Sequence, residues 1–176
     1  IKDNIMEINV FLNTIKQDFI ESCNLYHSNQ IGNSITIYKE GEEFPDLDGF
    51  QLAIVGVEEE RNSFDNKGCK NAPNIIRKAL YQLFYHWDDL KIIDLGNIKT
   101  GFEIEDTYFA LNKVFSTLMR YRIVPIILGG SQDLTYPMYQ VYENTGKLVN
   151  ITSIDSRFDI GQDDEELNSN SYLSHI

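Results

Sequence analysis

Leu52-Ala53-Ile54-Val55-Gly56-Val57 is a short run of consecutive apolar residues, entered from Gln51 and left through Glu58-Glu59-Glu60. Apolar side chains at successive positions, instead of alternate ones, mark a strand covered on both faces, the pattern of parallel sheets. The same signature recurs at Lys91-Ile92-Ile93-Asp94-Leu95-Gly96, at Ile123-Val124-Pro125-Ile126-Ile127-Leu128 and over Leu148 to Ile154. Between these runs the apolar spacing changes to about 3.6 residues, predicting helices over Asn71 to Phe84, Ile104 to Tyr121 and Leu134 to Glu143. The first of these should open with Asn71 as capping side chain and Pro73 in its first turn, and should turn Ile75, Ile76, Leu80 and Leu83 inward. Strand and helix in alternation predict a three-layer α/β/α fold around a mainly parallel sheet.

Upstream of Gln51 the pattern is looser. Ile5, Ile8, Phe11, Leu12, Ile15, Phe19 and Ile20 follow a helical period, so an amphipathic helix is expected from Ile5 to Cys23. Ser34 to Tyr38 is β-branched, and Gly41 to Gly49, with Pro45 and several acids, reads as a loop. The chain therefore divides into a helical and extended appendage over residues 1–50 and an α/β domain over residues 51–176. Beyond Asp155, the stretches Gly161 to Glu166 and Asn168 to Ser171 have loop composition.

Acidic residues outnumber basic ones by 27 to 15, a formal charge of −12, and no basic cluster offsets them. Such a field repels phosphate backbones and anionic lipid, so neither nucleic acid nor membrane is an expected partner. No apolar run is long enough to span a bilayer and no basic-then-apolar leader opens the sequence, which makes the cytoplasm the expected location. Cys23 and Cys69 lack metal-site spacing and read as reduced, part-buried thiols.

Chemistry in an open parallel sheet belongs beyond the carboxyl ends of the strands. Two loops there carry the distinctive residues, Gly129-Gly130-Ser131-Gln132-Asp133 and Asp155-Ser156-Arg157-Phe158-Asp159, and adjacent strand ends would bring Gln132, Asp155, Arg157 and Asp159 together. Gly129-Gly130 lacks the Gly-Lys-Ser/Thr completion of a phosphate loop. Glu58-Glu59-Glu60 reads as a solvated acidic run, His86 beside Trp87 as a helix-end packing residue, and Tyr81, Phe84, Tyr85 and Trp87 as a cluster that is either core or a contact surface. On the residues alone, Asp155 and Asp159 are ordinary strand-end acids.

A resemblance changes that reading. Gly129-Gly130-Ser131-Gln132 and Asp155-Ser156-Arg157-Phe158-Asp159 resemble the Gly-Gly-Asp-His and Asp-Ala-His-x-Asp motifs of the ureohydrolase family, which includes arginases, agmatinases and formimidoylglutamases. Gly56-Val57, Arg61, Gly68-Cys69, Pro73, Ile76-Arg77 and Asp94-Leu95-Gly96 agree with the family pattern in the same order. The resemblance implies an arginase-like fold, incomplete at the C-terminus, and a pair of manganese ions that lower the pKa of a bridging water for attack on an amidine carbon. Asp155 and Asp159 fall on two aspartate ligands of that site, whereas Gln132 and Arg157 occupy positions where the family has histidine. An amide oxygen is a weak donor to a transition metal, and a guanidinium has no lone pair and repels a cation.

A family motif with further ligands, Ser-x-Asp-x-Asp, has no counterpart before Ile176, and the opening Ile1 points to a sequence incomplete at both ends. The expectation is a non-catalytic binding or scaffold protein, a pseudoenzyme holding no metal, with Arg157 bridging Asp155 and Asp159 in the ions' place. The alternative is an active hydrolase of a linear amidine such as formimidoylglutamate, arginine or agmatine, with manganese held by a site completed elsewhere. Asn168 to His175 resembles, loosely, the family's substrate loop, with His175 as a candidate proton shuttle. An incomplete sheet should leave an edge and apolar faces to be covered by a second copy or another partner.

Overall fold

The computed structural model describes residues 8–146, 148–162 and 164–176. Its centre is a sheet built from β1 (Leu12–Asn13), β2 (Thr36–Ile37), β3 (Leu52–Val57), β4 (Ile92–Ile98) and β5 (Val124–Leu128). The order is β1-β4-β3-β5, with β2 also pairing β4. β2, β3 and β5 run parallel to their neighbours, and only β1 is antiparallel, with Leu12 opposite Ile98. Three of the four strands predicted from unbroken apolar runs are present, and β3 and β4 are buried along nearly their whole length, as such runs require.

Helices cover both faces. α3 (Ala72–Gln82) follows β3, α4 (Ile104–Arg120) follows β4 and α5 (Thr135–Glu143) follows β5, while the shorter α1 (Gln17–Ser22) and α2 (Ile31–Ser34) belong to the N-terminal region. Leu111, Val114 and Leu118 of α4 pack on Ala53, Val55, Ile93 and Leu95 from one side. Leu80 of α3 packs on Ile54 and Leu128 from the other. A reciprocal cap between Glu103 and Asp106 starts α4, satisfying backbone N–H groups that have no partner within the helix. No helix among the described residues is long and apolar enough to cross a membrane.

The N-terminal region departs from expectation. Where one helix was predicted from Ile5, which lies outside the described residues, the chain forms a 3-10 turn at Asn9–Phe11, then β1, and becomes helical only at Gln17. The open edge of β4 supplies the reason. It bonds β1 in register, and Lys99 N–H donates to the Phe11 carbonyl at 2.8 Å, so sheet pairing overrides the local helical period. Ile8, Leu12 and Ile15 are still buried, in the sheet's core instead of on a helix face.

Leu148 to Ile154 forms no strand in the structure. Leu148 and Ile154 are 98% and 100% exposed, and the edge of β5 beside them keeps Val124 59% exposed. A parallel strand gains stability only when both of its faces are covered, and among the described residues nothing covers the α3 side of this edge.

α3 also turns differently from its apolar pattern. Ile75, Ile76 and Leu83 point outward, and the buried stripe is Pro73, Arg77 and Tyr81. Asn71 makes no side-chain cap, the helix being entered from a 3-10 turn at Cys69–Asn71. The cause is Asp94 in the centre of β4, which is fully buried and needs a cation. Arg77 Nε donates to Asp94 Oδ2 at 2.7 Å and Arg77 Nη2 to Asp94 Oδ1 at 3.2 Å, and the Tyr81 hydroxyl adds a third bond at 2.9 Å. Burial, with the Asp94 charge beside it, pushes the Tyr81 phenol upward and keeps it a donor.

Removing one partner of such a pair leaves a buried charge unpaired. Arg77→Ala is therefore expected to destabilise the chain by about 3–5 kcal/mol, read as a lower urea midpoint, while Ile75→Ala on the outward face changes it by less than about 1 kcal/mol.

Candidate functional site

The site is built at the carboxyl end of β5. Gly129 and Gly130 turn the chain there with φ of +72° and +79°, a region open to glycine and costly for other residues. Space is as restrictive as conformation: a Cβ on Gly129 would stand 2.4 Å from the Pro73 ring, and one on Gly130 would meet the Val57 carbonyl at 2.9 Å. The close turn delivers Ser131 N–H to the Glu59 carbonyl at 3.0 Å and starts the 3-10 turn Gln132–Leu134 that carries Gln132.

Beneath Gln132, Asp133 is fully buried. Its carboxylate accepts from the Ser131 hydroxyl and from the Tyr108 hydroxyl of α4, which in turn accepts from Asn62 Nδ2 at 3.0 Å. Burial raises the Tyr108 phenol well above its ordinary range, with the Asp133 hydrogen bond acting in the same direction.

The loop after β3 forms the opposite wall, and here the acidic run is not solvated. Glu59 is 2% exposed and pairs with Arg61 at 2.5 Å. Burial alone would raise its carboxyl, but the bonds from the Arg61 side chain and backbone outweigh that and hold it low. Glu60 takes the Gly68 N–H at 2.6 Å and Lys70 at 2.8 Å, and Glu58 accepts from Asn74 at 3.0 Å. Each of the three adjacent acids thus has donors of its own. Arg61 also donates to the Phe102 carbonyl and the Thr107 hydroxyl, anchoring this loop to the start of α4.

A cavity of about 260 Å³ lies between these walls, and Gln132, Asp155, Arg157 and Asp159 all line it. The four residues are therefore neighbours as expected, even though the segment bearing the last three is irregular. Gln132 Nε2 donates to Asp155 Oδ2, and Arg157 N–H donates to Asp155 Oδ1 at 3.2 Å. The expected bridge is absent: the Arg157 guanidinium forms no ion pair with Asp155 or Asp159, because its side chain is exposed and water solvates it at no desolvation cost. Asp159 is 3% exposed, and among the described residues its Oδ2 has no hydrogen-bond partner.

Ser169 and Asn170 also border the cavity, held there by Ser169 Oγ accepting from Phe64 N–H at 3.0 Å and by Asn62 donating to the Leu167 carbonyl at 2.9 Å. His175 does not line it, and its ring packs edge-on to Tyr136. Cys23 and Cys69 are free, buried thiols.

The two carboxylates titrate apart. The hydrogen bond from Gln132 lowers Asp155, whereas burial first, and then the neighbouring Asp155 charge, raises Asp159. With imidazole missing and an amide N–H turned toward Asp155, these side chains do not by themselves fit a pair of divalent ions, and no group of three His, Cys, Asp or Glu converges among the described residues.

Because the folded pKa of Asp159 lies above its unfolded value, its contribution to stability is complete below the unfolded pKa and is lost as pH rises through the folded one. Asp155 has the opposite sign, contributing above the unfolded pKa and losing that contribution as pH falls through its lowered value. Between about pH 4 and neutrality the melting temperature of Asp159→Asn should therefore rise relative to that of wild type.

Known proteins share both the sequence pattern and the fold. A sequence profile of the arginase family matches residues 50–175. A formimidoylglutamase from Hahella chejuensis is 30% identical over 135 residues, covering 71% of this chain and 41% of that protein. A hypothetical agmatinase from Burkholderia thailandensis superposes with a TM-score of 0.69 at 22% identity, covering 87% of this chain and 50% of the other. A Trypanosoma cruzi formiminoglutamase solved with Mn2+ gives 0.64 at 19% identity, covering 74% and 49%. The chain thus spans about half the length of these relatives, and its fold is theirs. On the profile match and the shared fold, the chain belongs to the arginase family.

Proposed function

We propose that this chain is a ureohydrolase-like protein with an impaired metal site, acting in the cytoplasm as a non-catalytic binding or scaffold protein. The observation that carries this reading is the hydrogen bond from the Gln132 amide to Asp155, in the cavity that Arg157 also lines. A donor N–H occupies the carboxylate oxygen that would otherwise be open to a cation. Gln132 and Arg157 replace the two imidazoles that the family motifs call for, and neither matches imidazole as a ligand.

A second reading is an active manganese-dependent hydrolase of a linear amidine such as formimidoylglutamate, arginine or agmatine. Family membership and the shared cavity of Asp155 and Asp159 favour it. The bare edge of β5, with Val124 and Ile126 exposed beside the outward Ile75 and Ile76, supports a covering element in either case, whether a second copy or another partner.

Metal analysis after dialysis against manganese separates the two readings. The unmodified chain should retain no stoichiometric manganese, and Gln132→His combined with Arg157→His should bind it at least about tenfold more tightly, the effect of one well-placed ligand. Stoichiometric manganese in the unmodified chain, together with amidine hydrolysis, would reverse the assignment.

A further inference from the structure

A second cavity, of about 530 Å³, opens at the carboxyl ends of β3 and β4 and shares no lining residue with the one around Asp155. The connection leaving β3 runs to α3 on one face of the sheet, and the connection leaving β4 runs to α4 on the other. Adjacent parallel strands whose connections diverge leave a crevice between them, the place where open α/β sheets bind small molecules. Its volume is within the range of small-molecule sites.

The floor is rigid. Asn97 is 7% exposed, and Arg77 Nη1 donates to both Asn97 Oδ1 at 3.0 Å and Asn74 Oδ1 at 2.9 Å. Those bonds occupy the amide oxygens, and the amide nitrogens each donate once within the floor, Asn74 Nδ2 to Glu58 at 3.0 Å and Asn97 Nδ2 to Asn74 Oδ1 at 3.4 Å, each keeping a second N–H. Around that floor stand Lys16, Glu40 and Glu58, with the ring of Phe19 as an apolar wall. Among the described residues Lys16 and Glu40 enter no ion pair, and the Glu58 side chain makes a single hydrogen bond, to Asn74. Charged groups lining one cavity without charged partners of their own are a template for a ligand of opposite arrangement.

We propose that this crevice binds a free basic amino acid, a molecule with two cationic groups and one carboxylate. The two cations face Glu40 and Glu58, the carboxylate faces Lys16 and the amide donors of the floor, and the methylene chain lies along Phe19. This inference is independent of whether the Asp155 cavity holds metal.

Isothermal titration calorimetry on the 176-residue chain with L-lysine as probe tests it. L-lysine should bind saturably and at least about tenfold more tightly than L-glutamate or cadaverine, which lack the second cation and the carboxylate respectively. Glu58→Gln and Lys16→Ala should each weaken L-lysine about tenfold, the loss of one charge-assisted contact. Glu40→Gln, at an exposed position, gives the same readout should Glu58→Gln disturb folding. Arg157→Ala, in the other cavity, should leave L-lysine affinity unchanged. Absence of saturable binding, equal affinity for L-glutamate, or affinity that responds to Arg157→Ala and not to Lys16→Ala or Glu40→Gln would overturn the proposal.

Discussion

The buried contact between Arg77 and Asp94 organises this protein. A carboxylate in the middle of a hydrophobic strand is tolerable only when matched by a cation and fully hydrogen-bonded, and Arg77, Tyr81 and the Gly96 N–H together meet that demand. The consequences spread outward. α3 must present Arg77 and Tyr81 to the sheet, which forces its apolar Ile75 and Ile76 to the outside. The same guanidinium orients Asn74 and Asn97 at the carboxyl ends of β3 and β4, so one ion pair both fixes a helix and shapes a polar crevice.

The loops beyond the strands follow a similar principle, with each acid given its own donor. Glu59 is held by Arg61, Glu60 by Lys70 and the Gly68 N–H, and Asp133 by Tyr108 and Ser131. An overall charge of −12 is compatible with a packed structure because the buried part of it is locally compensated. Asp159 is the exception, with one carboxylate oxygen buried and without a partner among the described residues, and burial there, with the Asp155 charge beside it, raises its proton affinity.

With its solved relatives the chain shares a common frame. The paired glycines after β5, the close contact of Gly129 with Pro73 and the return of the chain past Ser169 bring Gln132, Asp155, Arg157 and Asp159 to one cavity. The amide of Gln132 then supplies to Asp155 a proton donor.

Periodicity alone determined the strands β3, β4 and β5, the helices α3, α4 and α5 and their α/β alternation, because an unbroken apolar run marks a strand and a 3.6-residue apolar period a helix, although β5 proved to be an edge strand with one face bare. The motif spacing likewise anticipated Gln132, Asp155, Arg157 and Asp159 at one cavity, although the strand expected to carry the last three did not form. Only the tertiary structure decided the rest. The segment from Ile8 to Lys16 gave up a helical period for the edge of β4, Leu148 to Ile154 found no covered place beside β5, and the face of α3 was chosen by Asp94 in preference to Ile75 and Ile76. Glu59 was buried by Arg61, and Arg157 stayed in water. In each case the outcome turned on a partner distant in sequence: hydrogen-bond edges, covering layers and countercharges are supplied by the fold, and a local pattern does not contain them.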